Sequence, residues 1–474
     1  MNHPNGSSRW IGQKAHQKAH EQAHEQVQLT ALPVSGNRVQ RGSHSGGTQA
    51  GLSEPPERAA AGESLQCEVF IVGAGPAGAE LARLLARAGV AVLLVDQLSD
   101  LGQAAFSSAA LPLESLDRYS LPAQVVASRW SQWQLFGPDG RPRLWSAQQP
   151  LGAVLDFGSL RQWLVEQAQS WGAQLHLGWR ALGCEQESDG SWITQLRDRS
   201  GRVNRCRSTW LIDASGQARV LLGEPSSNDP LVCGVGVEWL LQVEERIWSF
   251  WSDRLSFWLG SDWVPQGYGW LFPMQPGVLK VGICRLEDPS RRQPPLAPLL
   301  QRLISRLPGL EAGEWRVLDR HGGRIRSSIR RREPHQRGRL IGLGDAVSTA
   351  NLLGGEGIRH ALCSSRVLAP LLLEAMRSPR RQARQHDPLQ HYPDQLRQAL
   401  GPRWSLSGRL ARRTWLGLHH QQADQRLERL LDGLEGESAE TLAALLFDYR
   451  FERYGLRALP YLLGWGSRAR IRAD

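Results

Sequence analysis

The residues with the clearest chemistry lie in one glycine-rich segment, residues 69–96, with the sequence VFIVGAGPAGAELARLLARAGVAVLLVD. It predicts a strand, a tight turn, a helix and a second strand that ends in an acid. Gly73 permits the turn, Gly75 lets the backbone approach a pyrophosphate, and Gly78 lets the helix pack on the sheet. The helix N-terminus would stabilise the phosphates, and Asp96 would accept hydrogen bonds from ribose hydroxyls. The segment therefore predicts a dinucleotide site formed by Gly73, Gly75, Pro76, Ala77, Gly78, Asp96 and Gln97.

A second glycine-rich segment, residues 339–362, indicates which dinucleotide is bound. Its sequence, RLIGLGDAVSTANLLGGEGIRHAL, predicts a short strand, a loop and a helix that begins near Gly357. Asp345 would bind the ribityl chain or the nearby pyrophosphate of FAD, and a helix start aimed at the flavin would stabilise its reduced form. Together with the first segment, this pattern favours FAD, with further contacts from Gly344, Asp345, Gly354, Gly355, Gly357 and Ile358.

Three more motifs carry a resemblance to a known family. They are the segments LDF at residues 155–157, LIDASG at 211–216 and PQGYGWLFP at 265–273. With these motifs, residues 66–376 resemble the FAD-dependent geranylgeranyl reductase family, and more loosely the flavin-dependent lycopene cyclases and aromatic hydroxylases. The resemblance implies that Asp213 and Gly216 lie near FAD, and that residues 267–273 lie beside the substrate and the flavin ring. Members often carry a cysteine and glycine cluster after the second strand, where this chain has QAAFSSAA at residues 103–110.

The resemblance implies an FAD-dependent oxidoreductase that reduces double bonds of a large apolar, isoprenoid-type substrate. Tyr268 and Trp270 would shape the site, and Glu356 would either supply charge or a proton near the flavin or organise its loop. One alternative is a cyclase-like reaction on a carotenoid without net redox change, which needs a carboxyl group with a raised pKa, for which Glu238 and Glu356 are candidates. The same fold would also serve a flavin-binding redox or assembly protein without turnover, or an oxygen-dependent hydroxylase.

The sequence also leaves the identity of the electron donor open. The sequence shows no second unit of strand, GxGxxG turn and helix that would bind a nicotinamide cofactor. Gly234 and Gly236 have the spacing of the first two glycines but lack the rest of the pattern. The flavin would then be reduced by NAD(P)H that binds transiently, or by an external carrier such as reduced ferredoxin. An electron-donor protein is therefore one expected partner.

The predicted fold class is α/β, with a Rossmann-like FAD-binding domain, an antiparallel-sheet substrate domain and a helical C-terminal region. Residues 1–65 are expected to be a disordered extension, residues 66–376 the core with a substrate sheet inserted at about 220–335, and residues 377–474 helical. Strands are expected near residues 174–177, 192–196 and 209–212, and helices near 428–434 and 439–446. Apolar alternation in residues 248–251 (WSFW) supports a strand in the inserted sheet. The C-terminal helices would form a cap on the core or rest on a membrane.

Composition limits the remaining choices. The chain has 474 residues, a net charge of +10, and six cysteines without CxxC spacing, which predicts reduced thiols and no zinc site. No apolar run is long enough to span a bilayer, so a cytoplasmic protein is expected, monomeric or weakly associating, with peripheral membrane contact open. Arginine supplies most of the positive charge, and nucleic acid is not an expected partner. Histidines spaced by four residues at 16, 20 and 24 could line one helix face and bind a metal, but a polar tail is the preferred interpretation.

Several of the 19 tryptophans fall in the expected substrate sheet, including Trp239, Trp248, Trp251, Trp258, Trp263 and Trp270. Flat aromatic walls suit a polyene or isoprenoid chain, and they suit an ordinary protein core equally well.

Overall fold

The computed structural model describes residues 63–103, 106–225, 231–311, 313, 315–328, 333–378 and 387–451. Almost all of the predicted extension at residues 1–65, with His16, His20 and His24, lies outside the described residues. The first strand begins at Ser64, two residues before the predicted start of the core.

Two sheets and a set of helices make up the described part of the chain. The strands are β1 (Ser64–Val72), β2 (Val92–Asp96), β3 (Ala110–Pro112), β4 (Val126–Phe136), β5 (Pro142–Ser146), β6 (Gly152–Leu155), β7 (Gln174–Leu177), β8 (Arg180–Gln186), β9 (Trp192–Arg197), β10 (Val203–Asp213), β11 (Leu231–Val243), β12 (Asp253–Leu259), β13 (Gly267–Pro273), β14 (Val278–Leu286), β15 (Trp315–Ser328), β16 (Gln336–Arg337) and β17 (Leu340–Gly342). The helices are α1 (Pro76–Arg87), α2 (Glu114–Tyr119), α3 (Phe157–Ser170), α4 (Glu245–Trp251), α5 (Leu296–Ile304), α6 (Ile358–Arg377), α7 (Tyr392–Leu400), α8 (Pro402–Gly417), α9 (Gln421–Leu434) and α10 (Ala439–Phe447).

The first sheet is the Rossmann-like part of the fold. Its strand order is β16-β17-β10-β1-β2-β7, and β9 joins β8 to β10. Strands β10, β1, β2 and β7 run parallel to their neighbours in this order, as does the pair β10 and β17. The C-terminal half of β1 is buried, as expected for a parallel strand covered by helices on both faces. The predicted α/β class with a Rossmann-like domain is therefore confirmed, and the strands predicted at 174–177, 192–196 and 209–212 lie in β7, β9 and β10.

The second sheet has the order β15-β11-β14-β13-β12-β4-β6-β3, with β5 beside β4. Most of its pairs are antiparallel, but β4 and β12 run parallel. The sheet also extends beyond the predicted insertion at about 220–335, because residues 110–155 contribute β3, β4, β5 and β6. The strand expected at residues 248–251 is wrong: these residues end helix α4, which reverses the chain between β11 and β12. In so short a segment, the apolar spacing fits one helical turn as well as a strand.

Side chains along each strand alternate between the two faces of this sheet, and the two faces pack against different partners. One face packs on helices α4 and α5. It contains Leu271, Trp239 and Trp258, which share a buried cluster with Trp251 of α4. These tryptophans fill an ordinary core. The opposite face contains Tyr268, Trp270 and Phe272 of β13, and we call it the aromatic face.

The C-terminal helices cover part of the second sheet. The Trp133 indole donates to the Ala439 carbonyl at 3.2 Å, and the Trp145 indole donates to the Leu434 carbonyl at 3.0 Å. Arg143 of β5, nearly buried, forms ion pairs with carboxylates of α9 and its end, among them Glu428 at 2.7 Å. Within the described residues, the helices predicted near 428–434 and 439–446 therefore form a cap, and no helix there is long and apolar enough to cross a bilayer.

Candidate functional site

The first glycine turn is held in place by close backbone contacts. Gly73 has a φ of 109°, and a Cβ there would lie 2.3 Å from the Ala214 carbonyl oxygen. A Cβ on Gly78 would lie 1.9 Å from the Gly73 carbonyl oxygen, so helix α1 can pack this closely only without a side chain there. Gly75 differs from both, because nothing lies within 4 Å of its Cβ position. The turn is thus compact on its inner side and open where Pro76 begins the helix.

The two acids predicted beside this turn have distinct surroundings. Asp96 ends β2 and accepts hydrogen bonds from the backbone N–H groups of Ala74, at 2.7 Å, and Leu98, at 2.8 Å. It remains half-buried, next to the exposed Gln97. Asp213 is fully buried, and its two oxygens accept four hydrogen bonds, from the amide and hydroxyl of Ser215 and from the amides of Leu221 and Leu222. Asp213 therefore shapes the loop that contains Gly216, and its carboxylate oxygens are already occupied.

The second glycine segment meets the first one directly. A Cβ on Gly344 would lie 2.7 Å from the Ala77 side chain, which places the short turn Gly344–Val347 against the start of α1. Asp345, in this turn, accepts a hydrogen bond from the Thr349 hydroxyl at 3.0 Å. Burial raises the pKa of Asp345, although hydrogen bonds from Thr349 and the Ala350 backbone oppose that rise. Sequence positions more than 250 residues apart are thus combined in one site.

The loop from Gly354 to Gly357 is fixed by its one charged residue. Glu356 forms an ion pair with Arg359, at 2.8 Å, in which two guanidinium nitrogens bind its two oxygens. The hydroxyl of Tyr449 donates to Glu356 at 2.6 Å. Burial alone would lower the pKa of Arg359, but the Glu356 carboxylate raises it, so the guanidinium stays charged. Both carboxylate oxygens of Glu356 therefore have partners, an arrangement that suits an organiser of the loop before helix α6.

The aromatic face lies opposite this loop. The Tyr268 hydroxyl would be 3.3 Å from a Cβ on Gly355. The ring of Tyr268 lies 5.9 Å from that of Trp270 and 5.1 Å from that of Trp415 in α8. Burial, together with the neighbouring Cys284 and Glu356, raises the pKa of Tyr268 well above its usual value, so its hydroxyl stays protonated and can donate. The structure thus brings Tyr268, Trp270 and the 354–357 loop together.

Phe106 covers the outer part of the same face. A Cβ on Gly323 would lie 2.4 Å from the Phe106 ring, and one on Gly236 would lie 3.0 Å from it. Beside it, the buried Lys280 ammonium donates to the Ser107 carbonyl at 2.8 Å. The segment that departs from the family's cysteine and glycine cluster therefore inserts an aromatic ring over two glycines of the sheet.

The residues present fit an FAD molecule by a direct steric criterion. The Cβ positions of Gly75, Gly216 and Gly354 have no protein atom within 4 Å. Open space in front of backbone at a helix start is what a pyrophosphate needs. The half-buried Asp345 faces Gly357, whose Cβ position is 3.8 Å from the carboxylate. These glycines and Asp345 are the residues that could hold FAD here, and Ile358 begins helix α6 against the core.

Comparison with known proteins agrees with this geometry. Residues 66–222 match the model of an FAD binding domain. A digeranylgeranylglycerophospholipid reductase of Haloferax volcanii is 25% identical over 320 residues, which cover 64% of this chain and 74% of that protein. A menaquinone reductase of Mycobacterium tuberculosis is 29% identical over 322 residues, which cover 64% of this chain and 76% of that protein. This chain is an FAD-dependent oxidoreductase. The resemblance of the oxidoreductase to the geranylgeranyl reductase family is confirmed.

Solved structures show that the oxidoreductase shares its fold with several flavoproteins. A geranylgeranyl bacteriochlorophyll reductase-like protein of Thermoplasma acidophilum superposes with a TM-score of 0.66 at 20% identity, over 83% of this chain and 99% of that one. The p-nitrophenol 4-monooxygenase of Pseudomonas putida gives a TM-score of 0.61 at 18% identity, over 82% and 98% of the two chains. The fold is therefore common to enzymes of different chemistry, and the oxidoreductase must be understood from its own site.

Sequence reasoning missed two residues of the oxidoreductase site. Tyr449 reaches Glu356 from the end of the cap, and Phe106 covers Gly236 and Gly323. No local pattern marks Tyr449. Phe106 carried a signal, because it is the one large apolar side chain in a segment of small residues.

Proposed function

We propose that this oxidoreductase reduces carbon–carbon double bonds of a large apolar, isoprenoid-type substrate. The observation that carries the proposal is the aromatic face, which presents Tyr268 and Trp270 to the loop that contains Gly355. Phe257 extends the same wall, since its ring lies 6.1 Å from that of Tyr268 and 5.4 Å from that of Phe272. Such a wall gives a long apolar chain dispersion contacts along its length and offers few polar partners. The reductase names of the relatives support this substrate class.

The chain's own residues would position the reactants and keep out water. Bound FAD would supply the electron pair and one hydrogen for the reduction. Glu356 and Arg359 fix the loop to the end of the cap through Tyr449 and the Phe447 carbonyl, and Tyr268 and Trp270 would orient the substrate against it. Because Tyr268 is buried and protonated, it offers a hydrogen-bond donor among the aromatic rings of this wall. We propose Asp345 and the open glycine positions as the FAD contacts and NAD(P)H or reduced ferredoxin as the donor.

We also propose peripheral contact with an anionic membrane surface. Helix α8 ends at Gly417, and its Trp415 contacts Tyr268. The same helix exposes Arg409, Arg412 and Arg413. An apolar substrate dissolves in a bilayer, and arginines near its surface are attracted to anionic lipids. The surface around α8 would therefore bring the site close to its substrate.

Anaerobic absorbance spectroscopy tests the proposed reaction. The full chain is loaded with FAD and reduced with NADPH or with reduced ferredoxin. Geranylgeranyl lipids, menaquinone and lycopene are then added separately, and the oxidised flavin band and the products are followed. Reoxidation with formation of a saturated product is the expected result. Absence of reoxidation with every one of these substrates would overturn the proposal.

A second candidate function is a cyclase-like reaction without net redox change. It is favoured by one observation: Glu238, which is almost completely buried, lies on the aromatic face and accepts a hydrogen bond from the Trp270 indole at 3.3 Å. A buried carboxyl beside an apolar polyene is the group such a reaction needs. The same experiment separates the two, because a cyclised product with the flavin still reduced would replace the reductase proposal.

A further inference from the structure

A row of residues crosses the second sheet from its interior to its edge. Trp270 of β13 faces Gly282 of β14, which faces Glu238 of β11. Glu238 in turn faces His321 of β15, the edge strand. Directly opposed residues of antiparallel strands point to the same face. Glu238 and His321 therefore lie on the aromatic face, in register with Trp270.

Glu238 has an incomplete set of partners. Its side chain is 1% exposed, and its Oε2 accepts from the Trp270 indole at 3.3 Å. The Oε1 atom makes no hydrogen bond with any described residue, and neither does Nδ1 of His321, which lies 3.9 Å from it. That distance is a charge contact and is too long for a hydrogen bond. A buried carboxyl with one unsatisfied oxygen is costly to maintain, and it is poised to exchange a proton with a small movement of the imidazole.

His321 connects this carboxyl to solvent. Its Nε2 lies 2.6 Å from a carboxylate oxygen of Asp319, two residues earlier on β15. The side chain of His321 is 11% exposed, whereas that of Asp319 is 53% exposed. Glu238 raises the pKa of His321, burial opposes the rise, and Asp319 raises it further. The imidazole therefore stays protonated to a higher pH than an ordinary histidine and has one acid on each side.

The other charged groups on this face have their own partners or point elsewhere. Lys280 of β14 donates to the Ser107 carbonyl, one row away from Glu238. Tyr268 and Cys284 lie in the row on the other side, and the pKa values of both are raised, so that both are protonated. Arg320 lies over the Trp239 ring on the opposite face of the sheet. His321 is thus the cationic group that opposes Glu238.

We propose that Glu238 delivers to the substrate the proton that completes the reduction, and that this proton comes from His321, which is reprotonated from solvent beside Asp319. This inference rests on the proposed reductase function. Two C–H bonds form as the C=C π bond breaks: one takes the electron pair and hydrogen from reduced FAD, which is oxidised, and the other takes a proton that passes from the His321 imidazolium through the Glu238 carboxylate to the carbon. The neutral imidazole then takes a proton from water beside Asp319, which restores the ion pair. Reduction of FAD by NAD(P)H or ferredoxin closes the cycle.

The first test measures the His321 pKa in the full chain without substrate. Selectively labelled histidine is followed by NMR through a pH titration. The Glu238→Gln variant should lower the His321 pKa by about one to three units, because it removes a negative charge within 4 Å. The matched control is Glu287→Gln, which removes the acid that directly follows β14 and pairs with Arg324 of β15, and it should leave the His321 pKa unchanged. An unchanged value in Glu238→Gln would overturn the proposal.

The second test follows the rate of flavin reoxidation by substrate as a function of pH. In the wild type, this rate should fall as pH rises through the His321 pKa. His321→Asn should remove that dependence and slow reoxidation about 100-fold, within the usual range for loss of acid–base catalysis, while FAD reduction by the donor keeps its rate. Identical pH profiles in wild type and variant would overturn the relay even if the NMR shift is present.

Failure of the relay can be distinguished from failure of the proposed function. If no apolar substrate reoxidises the flavin of the wild type, the reductase function fails and the His321 titration alone reports the ion pair. If the wild type turns over and His321→Asn turns over equally, only the relay fails. Should Glu238→Gln not fold, Asp319→Asn at the exposed end keeps both measurements possible, with a lower His321 pKa expected.

Discussion

Replacing Gly75 with alanine would test whether FAD phosphates lie against the first glycine turn. The added methyl has no atom of the protein within 4 Å, and the backbone at Gly75, with φ −70° and ψ 179°, suits alanine. The chain itself should therefore tolerate Gly75→Ala, with a change in unfolding free energy within about 1 kcal/mol. The methyl would instead occupy the space that a pyrophosphate needs to reach the backbone N–H groups.

The expected loss of FAD affinity follows from those N–H groups. A hydrogen bond to a charged acceptor contributes about 1.5–3 kcal/mol, so displacing one should raise the dissociation constant of FAD about 10- to 150-fold. The affinity would be measured by fluorescence titration of the apoprotein with FAD, and stability by thermal unfolding without FAD.

Two variants bracket this result. Gly183→Ala, in β8, also places a methyl in open space, and it should change neither affinity nor stability. Gly78→Ala places a Cβ 1.9 Å from the Gly73 carbonyl oxygen, and it should destabilise the apoprotein by a few kcal/mol because backbone must move. Wild-type FAD affinity in Gly75→Ala, with normal stability, would refute the placement of the phosphates at this turn.

Further predictions concern ion pairs, the surface and pH. Glu356→Gln leaves the Arg359 charge without its partner and should lower the free energy of unfolding by roughly 3 kcal/mol, measured by thermal unfolding. Asp394→Asn is the control, because Asp394 forms an ion pair of the same i,i+3 spacing but is 72% exposed, and it should have almost no effect. Equal effects of the two variants would contradict the role of Glu356 as an anchor of the loop. His321→Asn should reduce stability most below pH 6.5, the ordinary pKa of histidine. A pKa that is raised in the folded state stabilises the protein at acid pH, and this stabilisation disappears as the pH rises through the folded-state pKa. A difference in unfolding temperature that does not depend on pH would contradict this prediction. Serine at Arg409, Arg412 and Arg413 of α8 should weaken co-sedimentation with anionic vesicles about 100-fold, at about 1 kcal/mol for each arginine. Serine at the exposed control set of Arg197 in β9, Arg205 in β10 and Arg202 between these strands should leave it unchanged.

The sequence predicted the parts of the site that depend on local backbone geometry. The turn at Gly73 to Gly78 and the 354–357 loop are recognisable because glycine is required where chains approach closely or φ is positive. Tyr268 and Trp270 were predicted from a family motif, and both lie on the aromatic face. The prediction was weaker for side-chain roles.

What remained hidden depends on contacts between distant segments. Asp213 belongs to a recognisable motif, yet its four hydrogen bonds within the chain can be seen only once the following loop is folded. The pairing of Glu238 with His321 depends on the register of β11 against β15, which no single segment encodes. At residues 248–251 the prediction failed for a local reason, because an apolar pattern of only four residues cannot distinguish a strand from a helix.

The hydrogen bond from Tyr449 to Glu356 has a consequence for the order in which the site is made. Its two residues are separated by 93 positions, and Tyr449 lies near the end of the chain, whereas the first glycine turn is complete by residue 78. During synthesis the Rossmann-like strands emerge from the ribosome long before the residue that fixes the 354–357 loop. A nascent chain would therefore offer FAD a phosphate-binding turn well before it could hold the flavin ring in place. Cofactor retention should therefore rise only after the segment that contains residue 449 has left the ribosome.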